Sequence, residues 1–102
     1  MFSRRGGLSL IQNLVRQGRY DWSNKIDQLI NTGWFDEEDL EECILTGVVQ
    51  KTEKDPFKAS VGNKIYVIIG RDTHGNPFYT VGKILRGDDG IFYFFITAHE
   101  TR

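Results

Sequence analysis

Hydrophobic positions along this chain recur at one period before residue 47 and at another after it. Leu8, Leu10, Ile11, Leu14 and Val15 fall at spacings of three and four, which predicts a helix with Gln12, Asn13, Arg16 and Gln17 outside and Gly18 as its stop. Ser23 caps a second, short helix with Ile26, Leu29 and Ile30 on its apolar side, ending near Gly33. Asp36 caps a third through Thr46, whose buried stripe is Phe35, Leu40, Cys43 and Ile44. The run Asp36-Glu37-Glu38-Asp39 lies in that helix's first turn, where the positive end of the macrodipole favours carboxylates. Gly47 follows as the residue past the helix end.

Beyond Gly47 the apolar positions alternate. Strands are predicted at Val48–Thr52, Lys64–Arg71, Phe78–Leu85 and Ile91–Ala98. The last three are joined by Asp72-Thr73-His74-Gly75-Asn76-Pro77 and Arg86-Gly87-Asp88-Asp89-Gly90, connections too short for parallel pairing, so they form an antiparallel meander. The expected architecture is α+β, in the order α-α-α-β-β-β-β, with the N-terminal helices packed on one face of a four-stranded antiparallel sheet. The last strand is apolar at both parities. Phe92, Phe94, Ile96 and Ala98 form its more uniformly apolar set and are assigned to the helices, which leaves Tyr93, Phe95, Thr97 and His99 on the other face. The longest irregular stretch, Asp55 to Asn63, is expected to cover part of the sheet.

A length of 102 residues fits a single domain over 1–102, with residues 1–7 as a flexible lead. The lone Cys43 has no partner for a disulfide and reads as a core thiol in a reducing cytoplasm. No stretch reaches the roughly 18 apolar residues of a membrane span, and no apolar run of signal-peptide length follows the first charges, so no membrane association is expected. Net charge is −1, made of +4 over residues 1–25, −7 over 26–57 and +2 over 58–102. That balance lacks the strongly basic character of a dedicated nucleic-acid domain.

Candidate chemistry lies on the sheet. Alternation makes conceivable an open face carrying Tyr66, Tyr79, Lys83, Tyr93 and His99, a set of aromatic platforms and polar tips suited to stacking bases or moving protons at a phosphodiester. The plain reading is strand tyrosines with their hydroxyls in water, and a dimer interface on the same face comes next. His74 reads as a turn residue. Two separated histidines and one cysteine match no zinc spacing, and no glycine-rich phosphate loop is present, so neither metal nor cofactor is expected.

Tyr20-Asp21-Trp22-Ser23, the acidic-capped stretch Phe35 to Gly47, the Gly75-Asn76-Pro77-Phe78-Tyr79-Thr80-Val81 hairpin and the ending Ile96-Thr97-Ala98-His99-Glu100 resemble the bacterial family catalogued as domain of unknown function 4258. That family is more distantly similar to RelE-type and BrnT-type toxins. The resemblance spans about residues 20–100 and implies a small prokaryotic α+β domain related to ribonucleases that are paired with antitoxins. Where the family's short helix carries a His and two Arg, this chain has Lys25, Leu29 and Gly33. Asn76 stands at the hairpin Arg, Tyr79 at a strand His, and His99-Glu100 at the terminal Tyr-Glu. The expectation is therefore a cytoplasmic, non-catalytic interaction or accessory module with a protein partner or a second copy of itself. The alternative is a divergent endoribonuclease toxin acting on RNA through Lys25, Tyr79, Lys83, Arg86 and His99. A third reading is a structural dimer that shows its acidic helix to a basic partner.

Overall fold

Two glycines with positive φ punctuate the helical half. The computed structural model describes residues 6–101, and in it Gly18 (φ 73°) and Gly33 (φ 85°) each end a helix. Arg19 N–H reaches back to Leu14 C=O, and Trp34 N–H to Leu29 C=O, the six-to-one bond that closes a helix on a left-handed residue. Helix α1 (Gly6–Arg16) starts within the expected N-terminal lead, of which residues 1–5 lie outside the described ones. Helix α2 (Asn24–Asn31) is capped by Ser23 Oγ, which accepts from Ile26 N–H at 3.3 Å. Helix α3 (Glu37–Thr46) opens with Asp36 N–H donating to Asp39 Oδ2 at 2.9 Å.

Among the described residues the sheet has five strands and mixed direction, in the order β1-β5-β4-β3-β2. This corrects the expected four-stranded antiparallel sheet. The extra strand, β1 (Tyr20–Trp22), lies between the first two helices and pairs parallel with β5 (Gly90–Glu100), so the order is α-β-α-α-β-β-β-β. Three residues are too few to display a period of two, which is why alternation did not mark Tyr20-Asp21-Trp22 as a strand. The other ladders are antiparallel, joining β2 (Val48–Lys54), β3 (Lys64–Arg71), β4 (Pro77–Gly87) and β5 in turn. The three helices lie against one face and bury Ile11, Leu14, Val15, Ile26, Leu40, Cys43 and Ile44 against it.

The assignment of faces on β5 is also corrected. Tyr93 and Phe95, not Phe92 and Phe94, are fully buried under the helices, and Tyr66 is in the same core. A bulge explains the inversion. The register runs Val81↔Thr97 and then Gly82↔Phe95, so Ile96 has no partner of its own and the alternation changes phase there. Ala98, beyond the bulge, does face the core as expected. Gly82 makes room for the change, since a Cβ there would stand 2.5 Å from Tyr93 Cζ.

Candidate functional site

Alternation and register give the open face its composition. Tyr79 opposes His99, Val81 opposes Thr97, Lys83 opposes Phe94, and Leu85 opposes Phe92, with Ile65, Val67 and Ile69 beside them on β3. Phe92, Phe94, Val81, Leu85, Ile65 and Ile69 are half-buried although no helix covers them. Of the five residues first set on an open face, Tyr79, Lys83 and His99 are there. Tyr66 and Tyr93 point into the core, and burial raises both hydroxyls above the usual tyrosine range. The Tyr93 hydroxyl has no hydrogen-bond partner among the described residues.

The five proton-transfer candidates do not converge. Tyr79 and His99 do meet, with ring centroids 4.3 Å apart and planes inclined by 35°. His99 Nδ1 lies 2.8 Å from Glu100 C=O. Lys83 is on the same face, four residues further along β4, which at the usual strand rise is about 13 Å away. It is also occupied, because its Nζ lies 3.6 Å from Asp55 Oδ1 and 5.4 Å from the centre of the Phe57 ring. Lys25 is exposed in the first turn of α2, in the helix layer. Arg86 has the helix-side parity of β4, beyond the last core residue Ile84, and is exposed.

Beside His99 is a cleft of about 150 Å³ lined by Leu29, Trp34, Phe35, Ala98, His99 and Glu100. Ligand sites usually enclose about 300–1,000 Å³, so this one admits a single side chain at most. A larger groove of about 650 Å³ lies between the start of α1 and the β2–β3 ladder, lined by Gly7, Leu8, Val48, Val49, Thr52, Lys64 and Tyr66. None of the five candidates lines it.

Three carboxylates carry structural roles that the sequence did not reveal, and Cys43 is the core thiol it was read as. Asp55 is 1% exposed and accepts N–H bonds from Phe57, Ala59 and Ser60, so it shapes the 55–63 loop that Lys83 pins to the sheet. Asp72 organises the β3–β4 turn by accepting from His74 and Asn76 N–H. Asp39 joins that turn to α3, because its Oδ1 accepts from both the N–H and the hydroxyl of Thr73. Beforehand Asp39 read only as one of the first-turn carboxylates that the helix macrodipole favours. Cys43 is fully buried, and burial pushes its thiol up to about 11, which leaves it no nucleophile near neutral pH.

A pH dependence follows from the first and third of these. Burial pushes the Asp39 carboxyl up, but the Asp36 N–H, both Thr73 donors and nearby His74 pull it further down, and the net is below the ordinary carboxylate value. Asp55 follows the same pattern, with burial opposed by Ser60, Phe57, Ala59 and Lys83. Lowered folded-state values mean that these groups stabilise the fold above the unfolded carboxylate pKa of about 4 and lose that contribution as pH falls through the folded values. Melting temperature should therefore be level from neutral pH to about pH 5 and fall below about pH 4. Asp39→Asn should be less stable than the parent at pH 7, with the gap narrowing in acid. An unchanged gap would show that the Asp39 charge contributes nothing.

No family model, no curated protein and no solved structure matches this chain. Fold and site define it only as a small α+β domain with a mixed sheet, helices on one face and the other face open. Among the described residues, no helix is long and apolar enough to cross a membrane.

Proposed function

We propose that this protein is a cytoplasmic, non-catalytic interaction module whose working surface is the open face of the sheet. The observation that carries this reading is the make-up of that face. Its centre is apolar apart from Lys83, with Ile65, Ile69, Val81, Leu85, Phe92 and Phe94 half-buried, while Tyr79 and His99 at one end and Lys51 and Glu53 on the β2 edge lie at the margin. An apolar centre inside a polar rim is the anatomy of a protein-binding surface. Lys83, the one basic residue among the proton-transfer candidates on that face, is neutralised by Asp55.

A second reading draws on one contact. Tyr79 and His99 stack as a cross-strand pair, which is the nearest approach to a proton-transfer site among the five candidates and the start of a divergent ribonuclease of the RelE or BrnT kind. One assay decides between them. Purified protein is incubated with RNA, with and without ribosomes, beside His99→Ala. The interaction reading expects no cleavage above background from either protein. Robust cleavage that His99→Ala abolishes would overturn it in favour of the nuclease. The positive arm places a photocrosslinking residue at Val81 or at exposed Glu38, and a discrete adduct is expected from position 81 only.

A further inference from the structure

Strand β2 is an edge of the sheet, and the charges along it are arranged so that they complement themselves. Asp55 N–H donates to Asn63 C=O at 3.1 Å, and hydrogen-bonded pairs alternate along an antiparallel ladder. Glu53 and Lys51 therefore turn their backbone groups towards Ile65 and Val67 of β3. Thr52 and Lys54 turn theirs outward, where no strand among the described residues meets them. Lys51 and Glu53 side chains are on one face of this edge, Nζ to Oε2 3.0 Å, and both are more than half exposed. The ladder's irregularity is at Gln50, next to Lys51 and two residues from Thr52.

We propose that β2 is a self-recognition edge, pairing antiparallel with β2 of a second copy about a two-fold axis at Thr52. Three registers centred on this segment can be compared. An axis at Lys51 sets Lys51 against Lys51 of the other copy, and an axis at Glu53 sets two glutamates together. The axis at Thr52 alone sets no charged residue against its own copy, and it opposes Lys51 to Glu53 at both symmetric positions. It also joins Thr52 to Thr52 through their outward N–H and C=O groups, and Gln50 to Lys54. The Lys51–Glu53 contacts then fall at the non-hydrogen-bonded positions, where opposed side chains come closest. The within-strand ion pair becomes a square of four alternating charges, and the two sheets continue as one. Backbone bonds and charge over so short a strand give a small interface, of the size class that associates transiently. The inference rests on the strand edge and is independent of the open-face reading above.

A rival account of the same residues is that edge charges and a bulge keep β2 apart from other strands. The two predict opposite results. The full chain is followed by sedimentation at rising concentration, at low and high salt, as the parent, Lys51→Glu, Glu53→Lys and the double variant. Self-pairing expects a concentration-dependent dimer of the parent, weakened by salt. Each single reversal should raise the dissociation constant at least about tenfold, since it opposes like charges at both symmetric positions. The double variant should restore the parent's affinity. Mixing the two single variants should yield a heterodimer, because the doubly acidic edge of one then meets the doubly basic edge of the other. The exchange rates of the Thr52 and Lys54 amides should fall as the parent's concentration rises. A parent that stays monomeric with concentration-independent Thr52 exchange overturns the proposal, as do single variants that dimerise like the parent or a mixture that fails to pair.

Discussion

Phe95→Ala should remove about 3–5 kcal/mol of stability, the usual cost of truncating a fully buried aromatic. Phe95 has no exposed surface and meets two rings edge-on, Tyr93 at 5.0 Å and Tyr20 at 5.7 Å between centroids. Its ring therefore holds β5, and through Tyr20 the short β1, to the core. Its backbone carbonyl also receives the Ser23 N–H that starts α2. A domain of this size has about 5–15 kcal/mol in all, so the loss approaches the whole of a modest fold. Phe94 is the control. It is half-buried on the open face, and Phe94→Ala should cost about 1–2 kcal/mol by area alone. Urea unfolding of the two variants reads the difference directly. Equal losses would return Phe94 to the core and remove the bulge-based account of the faces.

That pair of residues also marks where the sequence ceased to be informative. Helices were legible because each had a stripe, a cap and a stop within itself: Ser23, Asp36, Gly18 and Gly33 act locally, on bonds to residues a few positions away. Strand β3 was legible to the residue because its apolar run, Ile65 to Ile69, is bounded by Lys64 on one side and Gly70-Arg71 on the other. The faces of β5 were not, because an all-apolar run gives no contrast between parities and a bulge leaves no mark in its own strand. The opposing Gly82 was the available clue, a residue without a side chain in the middle of an apolar strand. β1 was hidden by its brevity, although two aromatics between a helix stop and a helix cap were a signal of an extended segment.

The candidate site was less legible than the fold, and the reason is geometric. Tyr79 and His99 were brought together because register alone sets cross-strand neighbours. Lys83 looked like a free base because its partner, Asp55, is 28 positions earlier in a loop whose course no local pattern fixes. Lys25 and Arg86 were grouped with the others by analogy of residue type, whereas helix layer and strand parity put them on the other side of the sheet. Asp39 shows the converse. Its place in the first turn of α3 was visible, while its hold on Thr73 depends on a turn 34 residues away.

Gly70→Ala should destabilise the protein by about 3 kcal/mol or more, above the usual range for overpacking a core. The reason lies in how closely α3 sits on the sheet. A Cβ at Gly70 would fall 2.2 Å from Cys43 O and 2.9 Å from Thr46 Oγ1, and one at Gly47 would fall 2.4 Å from the same Cys43 oxygen. Two glycines thus let the last turn of α3 rest its backbone directly on the start of β2 and the end of β3. The contact is tied by Thr46 Oγ1, which donates to Glu42 C=O at 2.7 Å and accepts from Arg71 N–H at 2.9 Å. A methyl group could be admitted only by moving backbone, because the obstructing atom is a carbonyl of the helix and not the tip of a side chain. Neither glycine is needed for its dihedral angles: Gly47 has φ −91°, open to any residue. Gly75→Ala makes the comparison, with φ 85° and nothing within 4 Å of its Cβ, so that only left-handed strain of about 1–2 kcal/mol is at issue. At about 4–8 °C per kcal/mol for a domain of this length, thermal melts should separate Gly70→Ala from the parent by more than 10 °C and from Gly75→Ala by several degrees. If Gly70→Ala melts within a few degrees of the parent, α3 does not sit so close, and the contacts of Cys43 Sγ with Phe78 C=O at 3.4 Å and Thr80 Oγ1 at 3.7 Å fail with it.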